Sequence, residues 1–230
     1  AYFTWDNNYI ESVWWVFKKL WDTGLIYRDF KIAQYCPRCG TPLSNFEVSL
    51  GYKETEDPSI FVKFRIKYKE SGITYKRYFL VWTTTPWTLP GNVALAINPK
   101  SEYVEVEEKV TGDRLILAKE RLSALTTAHE IVGHWKGKDL VGQHYEPFYS
   151  GHIHDEAIKN IAFQTMPAEF VSMEEGTGIV HIAPAFGEED YKLIKLKTKD
   201  QKPKRKGIRE KEFGERIPMT VDEEGRMNKG

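Results

Sequence analysis

Trp82-Thr83-Thr84-Thr85-Pro86-Trp87-Thr88-Leu89-Pro90-Gly91-Asn92 is the stretch on which the fold turns. Three consecutive threonines favour extended backbone, because a branched Cβ restricts the side chain least in a strand. Pro86 and Pro90-Gly91 then stop that strand and force a turn. A strand end carrying a ledge of hydroxyls between two indoles predicts a small, half-dry cleft with directed hydrogen bonds.

Working outward, 59–68 alternates: Ile60, Val62, Phe64, Ile66 and Tyr68 on one face, Lys63, Arg65 and Lys67 on the other. Glu70-Ser71-Gly72 supplies a turn, and 74–83 returns as a second strand. Further strands are expected at 92–97, 103–108, 114–118, 161–165, 168–173 and 178–183, with short helices at 119–127 and 187–197. Many strands and few helices imply an α+β domain, mainly antiparallel, closed or half-closed as a β-barrel, with helices at its periphery.

The second informative segment runs from Glu175 to Tyr191, EGTGIVHIAPAFGEEDY. Alternation puts Ile179, His181 and Ala183 on one strand face. Ala-Pro-Ala-Phe-Gly is a sharp connection, and Glu188, Glu189 and Asp190 fall in the first turn of the helix after it, where the helix dipole favours acids. Helix capping alone would explain Asp190, and a hydrogen-bonded core position would explain His181. The Gly176-x-Gly178 pair is no dinucleotide fingerprint, since His181 stands where a third glycine would.

Cys36 and Cys39 are the chain's only cysteines, in a Cys-Pro-Arg-Cys-Gly turn. They form no disulfide framework, and a reducing compartment is expected. A structural zinc site needs four ligands, so the pair reads as half of a zinc ribbon. Ahead of it, 8–23 has an apolar stripe of Ile10, Val13, Trp14, Phe17, Leu20 and Trp21 at helical spacing, with Asn8 and Glu11 at capping-box separation and Gly24 as a stop. Residues 1–50 are expected to be a stem and 51–230 the main domain. Basic residues crowd 192–211, an exposed segment that either is simply solvated or approaches phosphates.

Basic and acidic side chains balance at 33 each, which argues against coating nucleic acid by bulk charge but leaves room for a local basic groove. No apolar run approaches a bilayer span, so no membrane partner is expected. The first residues lack the apolar stretch of a signal peptide, which fits a cytoplasmic chain. The start at Ala1 and the end at Gly230 suggest a piece of something larger. His-Glu-x-x-His, Gly-x-Ser-x-Gly and phosphate-loop motifs do not occur.

Taken together, Asn8–Trp15, Tyr35–Ser44, Trp82–Asn92 and Gly176–Tyr191 resemble the inserted editing domain of the isoleucyl-tRNA synthetases, class I enzymes. The Trp82–Asn92 segment is the most specific. Valyl and leucyl relatives carry Thr-Thr-Arg-Pro followed by an acid there, where this chain has Pro86-Trp87.

The resemblance implies hydrolysis of valine wrongly esterified to the 3′ end of isoleucine tRNA, and of valyl-adenylate. It assigns the substrate α-ammonium to Asp190. It assigns the limit on side-chain size, and contact with the terminal ribose, to His181. Thr83, Thr84, Thr85 and Thr88 would bind substrate oxygens or the attacking water, with Trp82 and Asn92 as further pocket residues. Editing would need no cofactor. Zinc at Cys36 and Cys39 would need the rest of the ribbon, and ATP and magnesium would serve only the full-length enzyme, whose remaining chain is a partner. Two other readings stay open: a valyl-type editing domain aimed at threonine, and a non-catalytic RNA-binding module with a zinc ribbon.

Overall fold

The computed structural model describes residues 3–26, 30–67, 76–151, 153–199 and 217–228. In chain order the elements are α1 (Asn7–Asp22), β1 (Tyr35–Cys36), β2 (Thr41–Pro42), α2 (Asn45–Leu50), β3 (Ile60–Arg65) and β4 (Arg77–Thr83). A 3-10 turn, Pro86–Gly91, precedes β5 (Ala94–Ile97), β6 (Glu102–Glu108) and β7 (Arg114–Ala118). A second 3-10 segment, Lys119–Ala124, leads to β8 (His129–Lys136), α3 (Gly137–Leu140), α4 (Glu156–Lys159), β9 (Thr165–Pro167), β10 (Ile179–Ile182) and α5 (Glu188–Lys199).

The strands form a two-stranded hairpin, β1-β2, and two larger sheets ordered β3-β4-β7-β6-β8 and β10-β5-β9. Pairing is antiparallel except for β4 with β7 and β5 with β9. The α+β class holds, but the expected barrel does not close among the described residues. The sheets meet instead through isolated links: the bridges Ile66–Tyr145 and His144–Gln164 on one side, and a 2.8 Å bond from the Ala118 N–H to the Thr177 carbonyl on the other. On the first side the 142–146 segment adds further backbone bonds to both sheets, and the cavity described below opens beside β4 and β10.

Burial follows the alternation. Val62 and Phe64 of β3, with Ile66 just beyond it, pack with Phe79, Val81, Leu95, Ile97, Tyr103 and Ile179 in the core between the sheets. Ala94, Ala96, Ile158, Met166, Ile182 and Ile194 form a second core under α5. Gly176 and Gly178 hold the sheets together. Both have positive φ, and a Cβ would come within 3.0 Å of the Trp82 ring at Gly176 and within 2.3 Å of the Ala118 Cβ at Gly178. The Gly-x-Gly is thus a site of close backbone approach.

Several expectations need correction. The 168–173 strand is absent: β9 ends at Pro167, the Ala168 N–H makes a last bond to the Ile97 carbonyl at 2.9 Å, and the chain then runs as turns, a bend and irregular backbone to 173. Residues 161–164 are likewise not strand, and Phe163 sits at φ 58. The helix at 119–127 is a 3-10 segment ending at Ala124. α1 is capped by Asp6, whose carboxylate accepts the Asn8 N–H at 3.2 Å, and not by Asn8 with Glu11. No residue of α1 is buried. The Glu70–Gly72 turn and the part of the basic segment from 200 to 211 lie outside the described residues.

Candidate active site

β4 delivers Trp82 and Thr83, and the chain then leaves the sheet at Thr84 and Thr85. Pro86 opens the 3-10 turn, which swings Trp87 outward and Thr88 inward; Thr88 is buried and Trp87 exposed. Opposite, β10 pairs with β5 so that His181 faces Leu95 in register. Beyond β10, the Ala183–Gly187 bend turns the chain into α5, and Asp190 points back.

These elements enclose one cavity of about 480 Å³, lined by Trp82, Thr83, Thr84, Thr85, Trp87 and Thr88 on one side. Val180, His181, Ala183, Phe186, Gly187 and Asp190 line the other. The volume suits a small ligand. Of the residues singled out in the sequence, Trp82, all four threonines, His181 and Asp190 therefore meet at one wall-to-wall site. Asn92 does not reach it and lies buried behind His181.

The threonine side is a hydrogen-bonded row. Thr83 Oγ1 accepts the Thr85 N–H at 3.1 Å, and its contact with Thr85 Oγ1 is long, 3.4 Å. Thr88 Oγ1 donates to the Thr85 carbonyl at 2.7 Å. That spends its single proton, so its 2.8 Å contact with His181 Nε2 makes the histidine the donor. Burial depresses the His181 pKa to about 4, so the ring is neutral at physiological pH. With the proton on Nε2, Nδ1 is an acceptor, and Asn92 Nδ2 approaches it at 3.5 Å.

The helix side is less saturated. Asp190 Oδ2 accepts the Ala183 N–H at 2.8 Å. Among the described residues nothing else binds this carboxylate, which leaves Oδ1 for a ligand. Burial pushes its pKa up to about 6, Glu189 adding in the same direction and the Ala183 N–H opposing. Gly187 makes room for it: a Cβ there would sit 2.8 Å from the Asp190 carboxylate. A half-bonded, partly buried carboxylate is chemically suited to a cationic amine.

Cys36 and Cys39 lie together at the β1-β2 turn, where the Cys39 N–H and thiol pull the Cys36 thiol below its usual range. Among the described residues no third histidine, cysteine or carboxylate joins them. The pair fits half of a tetrahedral zinc site and no more. Among the described residues no helix is long and apolar enough to cross a membrane.

The model for class I tRNA synthetases of the I, L, M and V type matches residues 1–224. The isoleucine–tRNA ligase of Clostridium acetobutylicum is 49% identical over 194 residues, covering 84% of this chain and 18% of its own length. That of Thermus thermophilus is 46% identical over 229 residues, covering 99% of this chain and 20% of its own. The chain thus spans about a fifth of the length of these relatives. Among solved structures, that of GlLeuRS-CP1 superposes with a TM-score of 0.49 at 18% identity, over 59% of this chain and 58% of its own.

Proposed function

This chain belongs to the class I tRNA synthetases, and on that premise we propose that its cavity hydrolyses valine from mischarged isoleucine tRNA, and from valyl-adenylate, as the editing site of an isoleucine–tRNA ligase. The physical need is a second sieve. The isoleucyl enzyme is itself the standard example of the limit: one methylene gives an apolar pocket only ~1–3 kcal/mol of discrimination. A site that destroys the valyl ester must admit valine and reject isoleucine.

The observation that carries this reading is the convergence of Asp190, with one carboxylate oxygen unbonded, and the threonine ledge on a single cavity. Asp190 would take the α-ammonium, selecting an amino acid over a plain acyl group. The Thr83 and Thr85 hydroxyls, joined only by a 3.4 Å contact, would hold the ester oxygen or the attacking water. His181 and Thr88, locked to each other, would form the floor that limits side-chain size. Because both His181 nitrogens are committed, the histidine is not the base. Water is then oriented by the hydroxyl row and backbone dipoles and attacks the ester carbonyl; its proton passes through the free hydroxyl of the terminal adenosine, as a relay, to the ribose oxygen that leaves.

The tRNA 3′ end and the remaining synthetase chain are the partners this reading requires, with residues 1–50 as the stem and 51–230 as the editing body. Zinc belongs to the stem, at Cys36 and Cys39 with two ligands from elsewhere. Editing itself needs no cofactor; ATP and magnesium serve synthesis in the whole enzyme. The test is deacylation of valyl-tRNA(Ile) by this chain, with isoleucyl-tRNA(Ile) as control. Hydrolysis of the valyl ester alone supports the reading; no hydrolysis with tight tRNA binding favours a non-catalytic RNA-binding module.

A further inference from the structure

Behind the cavity floor, a buried chain of hydrogen bonds runs away from the substrate side. Tyr145, on the segment that bridges the two sheets, is fully buried and stacks edge-on against Phe64 and Phe163. Its hydroxyl meets Asn92 Oδ1 at 2.6 Å. The Asn92 carboxamide in turn directs Nδ2 at the Ala94 carbonyl, 2.9 Å, and at His181 Nδ1, 3.5 Å.

Every proton in this chain has one place to go. The Thr85 and Ala94 carbonyls at its two ends can only accept. With Asn92 Nδ2 turned to His181 Nδ1, the ring proton sits on Nε2 and goes to Thr88, whose own proton goes to the Thr85 carbonyl beside the Thr88 N–H. Asn92 must turn its amino group toward Ala94 and His181, which leaves Oδ1 facing Tyr145 as an acceptor that requires a donor. Burial removes water as a substitute, so the phenol is that donor.

We infer that Tyr145, remote from the cavity wall, is a positioning residue for the site: together with the Ala94 carbonyl, its hydroxyl holds the Asn92 carboxamide in one orientation, which keeps the His181 proton on Nε2 and turns the Thr88 lone pairs toward the ring. Asn92, on the same argument, acts through His181 and touches no substrate. The inference deepens the editing reading and rests on it for its catalytic consequence, but the protonation pattern stands on geometry alone. Among the described residues lining the cavity, Asp190 is the one other ionisable side chain near His181. Among the described residues Tyr145 is the one ionisable side chain besides His181 that is bonded to Asn92, and burial holds its phenol well above its usual pKa, so it stays a donor.

The test is nitrogen NMR of the whole chain labelled at its six histidines, with the H181A spectrum assigning the signal. The wild type should show a single neutral form with the proton on Nε2. N92D replaces the amino donor with an acceptor of the same shape, so the proton should move to Nδ1 and the ring should titrate well above its wild-type pH. Y145F should leave a mixture of the two neutral forms. In deacylation of valyl-tRNA(Ile), Y145F should lower kcat about 10-fold with KM unchanged. A single Nε2-protonated form in Y145F, with wild-type kcat, would overturn the inference even if the variant melts earlier, because a merely structural tyrosine predicts that pattern. If wild-type chain does not deacylate at all, the editing reading fails while the NMR arm still decides the tautomer.

Discussion

The two walls of the cavity are built on opposite lines. On the threonine and histidine side, the side chains that set the floor are buried and their bonding capacity is spent within the protein: Thr88 on Thr85, His181 on Thr88 and Asn92. On the helix side, Asp190 keeps half its bonding capacity unspent, and burial holds its pKa up at about 6. A saturated wall gives shape, because its groups cannot rearrange to welcome a larger ligand without losing buried bonds. An unsaturated carboxylate gives recognition, because a cation relieves its desolvation.

The contrast breaks most sharply at Asp190. D190A should lower valyl-tRNA(Ile) deacylation by about three orders of magnitude, the scale expected when a buried charge-assisted contact to the reacting ligand is lost. The same carboxylate should give kcat/KM an acid limb: neutral below about pH 6, it cannot attract an ammonium group, and activity should rise as it ionises. A flat profile between pH 5 and 7, measured by initial rates, contradicts that role.

G187A attacks the same wall without touching its charge. The new Cβ would lie 2.8 Å from the Asp190 carboxylate, which must swing away. A loss of about 100-fold in kcat/KM is expected. Wild-type rates would mean that the position of Asp190 matters little.

On the other wall, H181A should do something different: widen the floor and let isoleucyl-tRNA(Ile) in. Discrimination between the two esters should shrink by roughly 10-fold or more, the scale of a methylene-sized pocket contact. If isoleucyl-tRNA is still spared, His181 is not the size limit.

The smallest effect is on stability. The native pKa of Asp190 lies above its unfolded value, so the folded state binds more protons between pH 3.8 and about 6. Stability is therefore lost as pH rises through that window, and the ionised carboxylate is a burden above it. D190N should be more stable than wild type by roughly 1–2 kcal/mol at pH 8, allowing for partial exposure, and little different at pH 4. Equal melting at both pH values would remove the strain from the account.

Much of this was legible in residues because the signals are local. Alternation located β3 and β10, strand-like apolar runs bounded by turn residues located β4, β5, β6 and β7, and the prolines around Trp87 marked where the hydroxyl ledge leaves the sheet. What stayed hidden depends on distance or on competing terms. β8 does not alternate cleanly: Ile131 and Val132 are both exposed, and Gly133 is there because a Cβ would press on Glu105 at 3.3 Å. The 3-10 turn is concealed by its own prolines, which read as a break. Tyr145 meets Asn92 across 53 residues, and nothing local to either announces the partner. The stem shows the converse: the apolar stripe of α1 predicts the helix correctly, but Trp14 remains 65% exposed, since periodicity specifies a face and not what covers it.

The most direct measurement is calorimetric binding of three uncleavable mimics to this chain: an adenosine whose terminal ester is replaced by a valyl amide, its isoleucyl counterpart, and a version of the valyl compound lacking the amino group. The account predicts that the valyl amide binds, and that the other two bind at least about 10-fold more weakly, one refused by the His181 floor and one ignored by Asp190. Equal affinity for all three would contradict it.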